Sequence, residues 1–283
     1  ESAIRELAAA GCDLVIGVGF VFTDDLRKAA ATFPRTRFLA IDYSVIPGQA
    51  PPPANLLGVR FREQEGAFLV GALAALVSRT HTVGFVGGMQ SPLIRKFEAG
   101  YGAGAHAVCP DCRVLSGYAG ATPKAFADPS KGKELALAQY RAGADVIFHA
   151  SGQTGTGVFQ AAREHNGIGA SQRPAMTGGV DGAPALEEPR KWVIGVDSDQ
   201  YHEAPCCVLT SMTKGVDVAV VDAVRQVVEG QFRGGVVELG LAEKGVDYVF
   251  DARNRARIPR AVRERVESLR AAIIAGKIEV PWQ

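Results

Sequence analysis

The sequence is short of the features that mark several classes of protein. No run of about 18 uncharged apolar residues occurs, so no membrane-spanning helix is expected. Neither sign of charge dominates: 31 Lys and Arg stand against 30 Asp and Glu, a net +1. No whole-chain field therefore gathers nucleic acid or an anionic membrane surface. Aromatics make up only 7% of the chain. Disorder is excluded as well, because 47% hydrophobic and 22% charged residues give too much to bury and too little net charge. A length of 283 residues suits one large domain or, better, two.

An even number of cysteines is also lacking. Cys12, Cys109, Cys112, Cys206 and Cys207 cannot all pair within one chain. Cys109-Pro110-Asp111-Cys112 has the C-x-x-C spacing of a redox pair or of half a zinc site. Zinc would need two more ligands, which the vicinal Cys206-Cys207 pair supplies poorly, and the histidines show no metal-ligand spacing. The motif sits at a helix end rather than at the helix start that depresses a thiol pKa. A small loop-closing disulfide between Cys109 and Cys112 ranks first, ahead of free thiols and of metal or redox chemistry. It would favour an oxidising compartment.

What the chain has in plenty is glycine, 33 residues, against a usual ~7%. The glycines punctuate a repeated order of apolar β-branched run, turn and helical pattern. Strands are expected at Leu14–Gly19, Arg37–Asp42, Asn55–Val59, Thr82–Gly88, Val114–Tyr118, Asp145–Ala150, Trp192–Asp197 and Val208–Met212. Helices are expected over Glu1–Leu7, Asp24–Ala31, Glu63–Ser78, Pro92–Val108, Lys131–Ala142, Val158–His165, Val216–Gly230 and Arg260–Gly276. Apolar strands alternating with helices mean parallel sheets covered on both faces, and two sheets fit the length better than one. Asn166 to Lys191 breaks the order; Gly/Pro/Ala-rich and aperiodic, it is expected to be a mobile surface insertion.

Strands that end in Asp or Gly place polar groups at the carboxyl edge of a sheet, where doubly wound folds bind ligands. Gly152-Gln153-Thr154-Gly155-Thr156-Gly157 follows a strand and opens a helix, but it matches neither dinucleotide nor P-loop patterns. As a tight turn it would still aim backbone N–H groups at a ligand. Phe159, just inside that helix, either offers a ring face to a planar ligand or belongs to the core. Asp197 and Asp199 follow a buried strand, a placement suited to vicinal sugar hydroxyls or to a metal, with magnesium less favoured. Lys214 lies at a strand-to-helix junction. No G-x-S-x-G elbow or other nucleophile arrangement occurs. These residues can hold a ligand, but they form no catalytic set.

Several stretches in order resemble a known family. They are Asp13-Leu14-Val15-Ile16-Gly17-Val18-Gly19-Phe20, Arg62-Glu63-Gln64-Glu65-Gly66-Ala67-Phe68-Leu69-Val70-Gly71, Val83-Gly84-Phe85-Val86-Gly87-Gly88-Met89 and Pro92-Leu93-Ile94-Arg95-Lys96-Phe97-Glu98-Ala99-Gly100-Tyr101. Gly155-Thr156-Gly157-Val158-Phe159, Ile194-Gly195-Val196-Asp197-Ser198-Asp199-Gln200 and Leu209-Thr210-Ser211-Met212 complete the set. The chain resembles the basic membrane protein family, the PnrA-like substrate-binding lipoproteins of nucleoside ABC transporters.

The resemblance implies a type I periplasmic-binding fold: two doubly wound α/β lobes with a ligand cleft between them and a three-stranded hinge. Lobe I would comprise 1–62 and 213–240; lobe II would comprise 63–212 and 241–283, with the insertion at 166–191. Relatives begin with a further βαβ unit, so lobe I is expected to be incomplete at its N-terminus. By the resemblance Phe159 stacks on a purine base, Asp197 binds ribose hydroxyls, and Lys214 contacts the sugar or orients the acid. Gly155, Gly157, Gln90 and Glu65 join the expected site, Gln90 standing where relatives often carry an acid. The implied ligand is a nucleoside of the adenosine, guanosine or inosine class, and the implied partner an ABC permease. No nucleic acid, metal or cofactor is implied, and no catalysis. The location would be extracytoplasmic, with membrane attachment only through a lipid anchor absent from this chain. A cytoplasmic nucleoside-sensing regulatory domain of the same fold is the alternative, and an enzyme with a nucleotide cofactor ranks third.

Overall fold

Apolar runs separated by glycine turns become strands, and the amphipathic stretches between them become the covering helices. The computed structural model describes residues 1–45, 48–167 and 191–283. Along the chain these form α1 (Ser2–Ala9), β1 (Leu14–Val18), α2 (Thr23–Thr32), β2 (Arg37–Ile41), β3 (Leu56–Phe61) and α3 (Glu63–Val77). Then come β4 (Thr82–Met89), α4 (Pro92–Val108), β5 (Arg113–Gly120), α5 (Pro129–Arg141), β6 (Val146–Ala150) and α6 (Gly155–His165). The remainder is β7 (Trp192–Asp197), β8 (Val208–Lys214), α7 (Val216–Val228), β9 (Gly235–Leu239), β10 (Val246–Tyr248) and α8 (Arg260–Ile274).

The strands form two sheets, ordered β1-β2-β3-β9 and β10-β8-β7-β6-β4-β5. Every pair in the first sheet is parallel, as are the successive pairs from β8 to β5 in the second. The chain divides into two compact units. Unit 1 is Glu1–Arg62 with Gly215–Val246, and unit 2 is Glu63–Lys214 with Asp247–Gln283. The second and third crossings thus fall after Lys214 and after Val246, later than the expected 212/213 and 240/241. The reason is β8, which continues through Thr213 and Lys214 before the chain leaves unit 2. β9 and β10 were not expected as strands: β9 is largely exposed and β10 is only three residues long, so neither carries an apolar run.

Unit 2 is organised around α3, which is apolar on nearly all sides and buried from Ala67 to Ala75. It packs on α4 through an interlock of small residues. A Cβ at Gly71 would run into the carbonyl of Tyr101, one at Gly100 into that of Gln64, and one at Gly104 into that of Phe68. Local signals set the helix starts. Ser91 Oγ accepts from Ile94 N with Pro92 at the first helical position, and Asp128 Oδ1 accepts from Lys131 N with Pro129 there. The Asp128 cap starts α5 before the expected Lys131.

Most of the expected insertion, residues 168–190, lies outside the described residues. Its two flanks are described. Asn166 Nδ2 donates to Lys191 O at 2.9 Å, and Lys191 N donates to Asn166 Oδ1 at 3.1 Å. Lys191 Nζ also donates to Ala144 O at 2.6 Å. Gly104→Ala should force α3 and α4 apart and cost about 2 kcal/mol. A urea midpoint indistinguishable from that of the parent would show that the interlock does not set their separation.

Candidate functional site

The carboxyl edge of the six-stranded sheet collects polar residues on neighbouring strands. Gln90 follows β4, Ser151 follows β6, Asp197 ends β7 and Lys214 ends β8. Parallel strands lie ~4.8 Å apart, so these four positions span roughly 14 Å, the length of a small molecule. Gln90 is exposed, and its backbone N–H donates to Gly120 O at 2.9 Å.

Asp197 is exposed and has φ +65°, a conformation that aspartate tolerates better than most residues. Three bonds hold the turn that presents it. Gln200 Oε1 accepts from Val196 N at 2.7 Å, Ser211 Oγ accepts from Gln200 N at 3.0 Å, and Ser198 N donates to Val196 O at 2.7 Å. Gly195 has no room for a Cβ between Ser211 and Gln200. Gln200 and Ser211 are therefore positioning residues that sequence reasoning missed, although both lie inside the motifs that carried the resemblance. Asp199 is engaged elsewhere: Arg253 pairs with it at 2.5 Å, and it accepts from Tyr201 N at 3.1 Å.

Lys214 is buried rather than a surface lysine, and its Nζ lies 3.6 Å from Glu63 Oε1. Lys96 Nζ, from α4, lies 3.1 Å from Glu63 Oε2. Glu63 is only 1% exposed. It opens α3, where the helix dipole favours an acid. This acid between two lysines was also missed. Its signal was an acid directly preceding the most apolar helix of the chain.

Other expected site residues lie elsewhere. Phe159 is 1% exposed, sits in the core with Val158, Ala161 and Val193, and meets the His149 ring edge-on at 5.1 Å. Its ring is covered by the protein in this structure. Gly155 and Gly157 owe their lack of a side chain to packing. A Cβ on Gly155 would strike the His149 ring, and one on Gly157 would strike Pro129 O where α5 meets α6. Glu65 is buried on α3. The aromatic at the carboxyl edge is Phe126, half-buried, whose ring fills the space above Gly88 and beside Gly152. In unit 1 a second aspartate in the left-handed region, Asp42 with φ +61°, follows β2. A groove of about 940 Å³ lies within unit 1 between α7 and the β3–β9 edge.

Cys109 and Cys112 form a disulfide, and Cys12, Cys206 and Cys207 are free. No helix among the described residues is long and apolar enough to cross a membrane.

Parallel sheets with polar residues at the strand ends are the arrangement with which α/β proteins hold a small ligand. A solved solute-binding protein of an ABC transporter system from Aeropyrum pernix K1 has this fold, with TM-score 0.80 and 27% identity, all of this chain matching 81% of that one. The family described as ABC transporter substrate-binding protein PnrA-like matches residues 1–283, and the chain belongs to it. Among its relatives is the ABC transporter nucleoside-binding protein BmpA of Lactococcus lactis subsp. cremoris, 35% identical over 96% of this chain and 72% of the relative. Basic membrane protein A of Borreliella burgdorferi is 34% identical over 99% and 74%. The type I binding-protein fold and the transport role expected from the sequence are thus shown, and the family favours that role over the regulatory alternative.

His149, beneath the Gly155 turn, is fully buried; Nδ1 lies 3.2 Å from Ser151 Oγ and Nε2 has no hydrogen-bond partner among the described residues. Burial lowers its pKa to about 4. Between pH 6.5 and about 4 the unfolded chain binds a proton that the folded chain refuses, so stability rises with pH there. The contribution should be complete above pH 6.5 and fall by up to ~1.4 kcal/mol per pH unit on acidification. His149→Phe should flatten this part of a denaturation-versus-pH curve, and an unchanged slope would place the titration elsewhere.

Proposed function

We propose that the chain captures a purine nucleoside at the carboxyl edge of the six-stranded sheet and passes it to an ABC permease in the extracytoplasmic space, with a lipid anchor as its attachment to the membrane. The observation that carries this is Asp197, exposed at the end of β7 in a turn fixed by Gln200 and Ser211. A fixed carboxylate accepts from two vicinal hydroxyls at once, which a ribose supplies and a free base does not. Lys214, held by Glu63, lies on the next strand and orients the acid or contacts the sugar. Phe126 takes the base-stacking role in place of Phe159, and Gln90 offers its amide to the base edge. The formal charges of Asp197, Glu63, Lys96 and Lys214 sum to zero, which suits an uncharged ligand better than a nucleotide.

The nucleoside-binding relative supports the ligand class, and the family supports the permease as partner. The Cys109–Cys112 disulfide supports an oxidising compartment. The family's role is delivery, so the nucleoside should be recovered intact after incubation with the protein. Release of free base would end the transport-only reading.

Calorimetry with adenosine, guanosine, inosine and the matching free bases tests the site. Asp197→Ala should weaken nucleoside binding about 10- to 100-fold, the value of a charge-assisted pair, and leave free-base binding nearly unchanged. Equal losses for both ligands would remove Asp197 from the ribose role. Phe126→Ala should weaken nucleoside and base alike by about tenfold or more.

A further inference from the structure

At the amino edge of the six-stranded sheet, opposite the strand ends just described, a different group of side chains meets. His81 immediately precedes β4, Cys109 caps the C-terminus of α4, and Cys112 immediately precedes β5. One ligand atom from each lies within 4.8 Å of the others. His81 Nδ1 is 3.8 Å from Cys109 Sγ. A tetrahedral zinc with ~2.3 Å Zn–S and ~2.0 Å Zn–N bonds places sulfur and nitrogen roughly 3.5 Å apart, so this spacing is close to what a metal needs.

The backbone around these groups is held by hydrogen bonds. His81 has φ +53°, an uncommon conformation for a residue with a side chain. It is anchored because Arg113 N donates to its carbonyl at 2.9 Å, and because the buried Asp145 carboxylate accepts from Ser78 Oγ, Arg79 N and Thr80 N at 2.7, 2.6 and 3.1 Å. Cys109 N donates to Ala105 O at 2.9 Å, and Cys112 N donates to Cys109 O at 3.1 Å. His81 is exposed and Cys109 half-exposed, so solvent reaches one side of the cluster.

We propose that the Cys109–Cys112 disulfide masks a zinc site: reduction opens it, and Cys109, Cys112 and His81 then bind one divalent zinc ion, with water as the fourth ligand. The chemistry balances with a dithiol as reductant. The dithiol gives two electrons and two protons and leaves as its own disulfide, while the Cys109–Cys112 bond becomes two thiols. Zinc then displaces the two thiol protons, and His81 binds through neutral Nδ1. Oxidation of the pair removes both sulfur ligands and expels the ion. The site responds to the redox state and metal supply of the compartment, and it lies at the end of the sheet opposite the proposed nucleoside contacts.

The test compares zinc binding by the whole chain before and after reduction with a water-soluble phosphine, which is removed before titration. The reduced chain should bind one equivalent of zinc with release of protons, and cobalt in its place should show thiolate-to-metal absorption. The oxidised chain should bind none at this site. His81→Ala, a change at an exposed residue, should weaken binding to the reduced chain at least about tenfold. Cys109→Ser with Cys112→Ser should abolish both the binding and the absorption band. Equal binding before and after reduction, unchanged affinity in His81→Ala, or no thiolate band with cobalt would each overturn the proposal. Loss of the far-ultraviolet circular dichroism on reduction would overturn it too, since the site needs β4, α4 and β5 in place.

Discussion

Unit 2 depends on one buried carboxylate. Glu63 begins α3, receives Lys96 from α4, and receives Lys214 from the last residue of β8. A single acid thus ties the central helix, its packing partner and a strand of the sheet at one point. Such an arrangement is a modest source of stability, because two lysines and a carboxylate must all leave water. What it supplies is position. With Glu63 removed, Lys96 and Lys214 would lose the carboxylate that joins them, and the end of β8 would have reason to move. The glycine interlock between α3 and α4 serves the same end, since Lys96 reaches Glu63 only if the two helices lie close.

Much of the fold was legible because strands buried on both faces leave an unmistakable apolar run. β7 and α4 begin and end where their sequence signals stand, and the Ser91-Pro92 cap explains the second of these. The two strands that escaped notice, β9 and β10, are an exposed edge strand and a three-residue strand; they are held by partner hydrogen bonds rather than by their own composition. The late exit of β8 escaped for a related reason, because Thr213 is polar yet remains paired with the sheet and Lys214 ends the strand.

The candidate site was legible only where backbone position and chemistry coincide. Asp197 and Gln90 stand at strand ends, and a strand end can be read from a sequence. Burial cannot be read from a local pattern so easily. Phe159 and Phe126 both flank glycine-rich turns, yet one ring is enclosed beside His149 and the other remains half-buried above Gly88. The glycines at 155 and 157 make room for a histidine ring and for helix α5. Gln200 and Ser211 were hidden because their task is to hold another residue, which only the three-dimensional register of β7 and β8 reveals.

The paired bonds between Asn166 and Lys191 join the end of α6 to the start of β7. The loop-closure cost is met at these two residues, and it grows only slowly with the length of chain enclosed. The scaffold therefore has a ready graft point. Segments of different length, a reporter domain among them, should be exchangeable at this position while the strand order stays as it is.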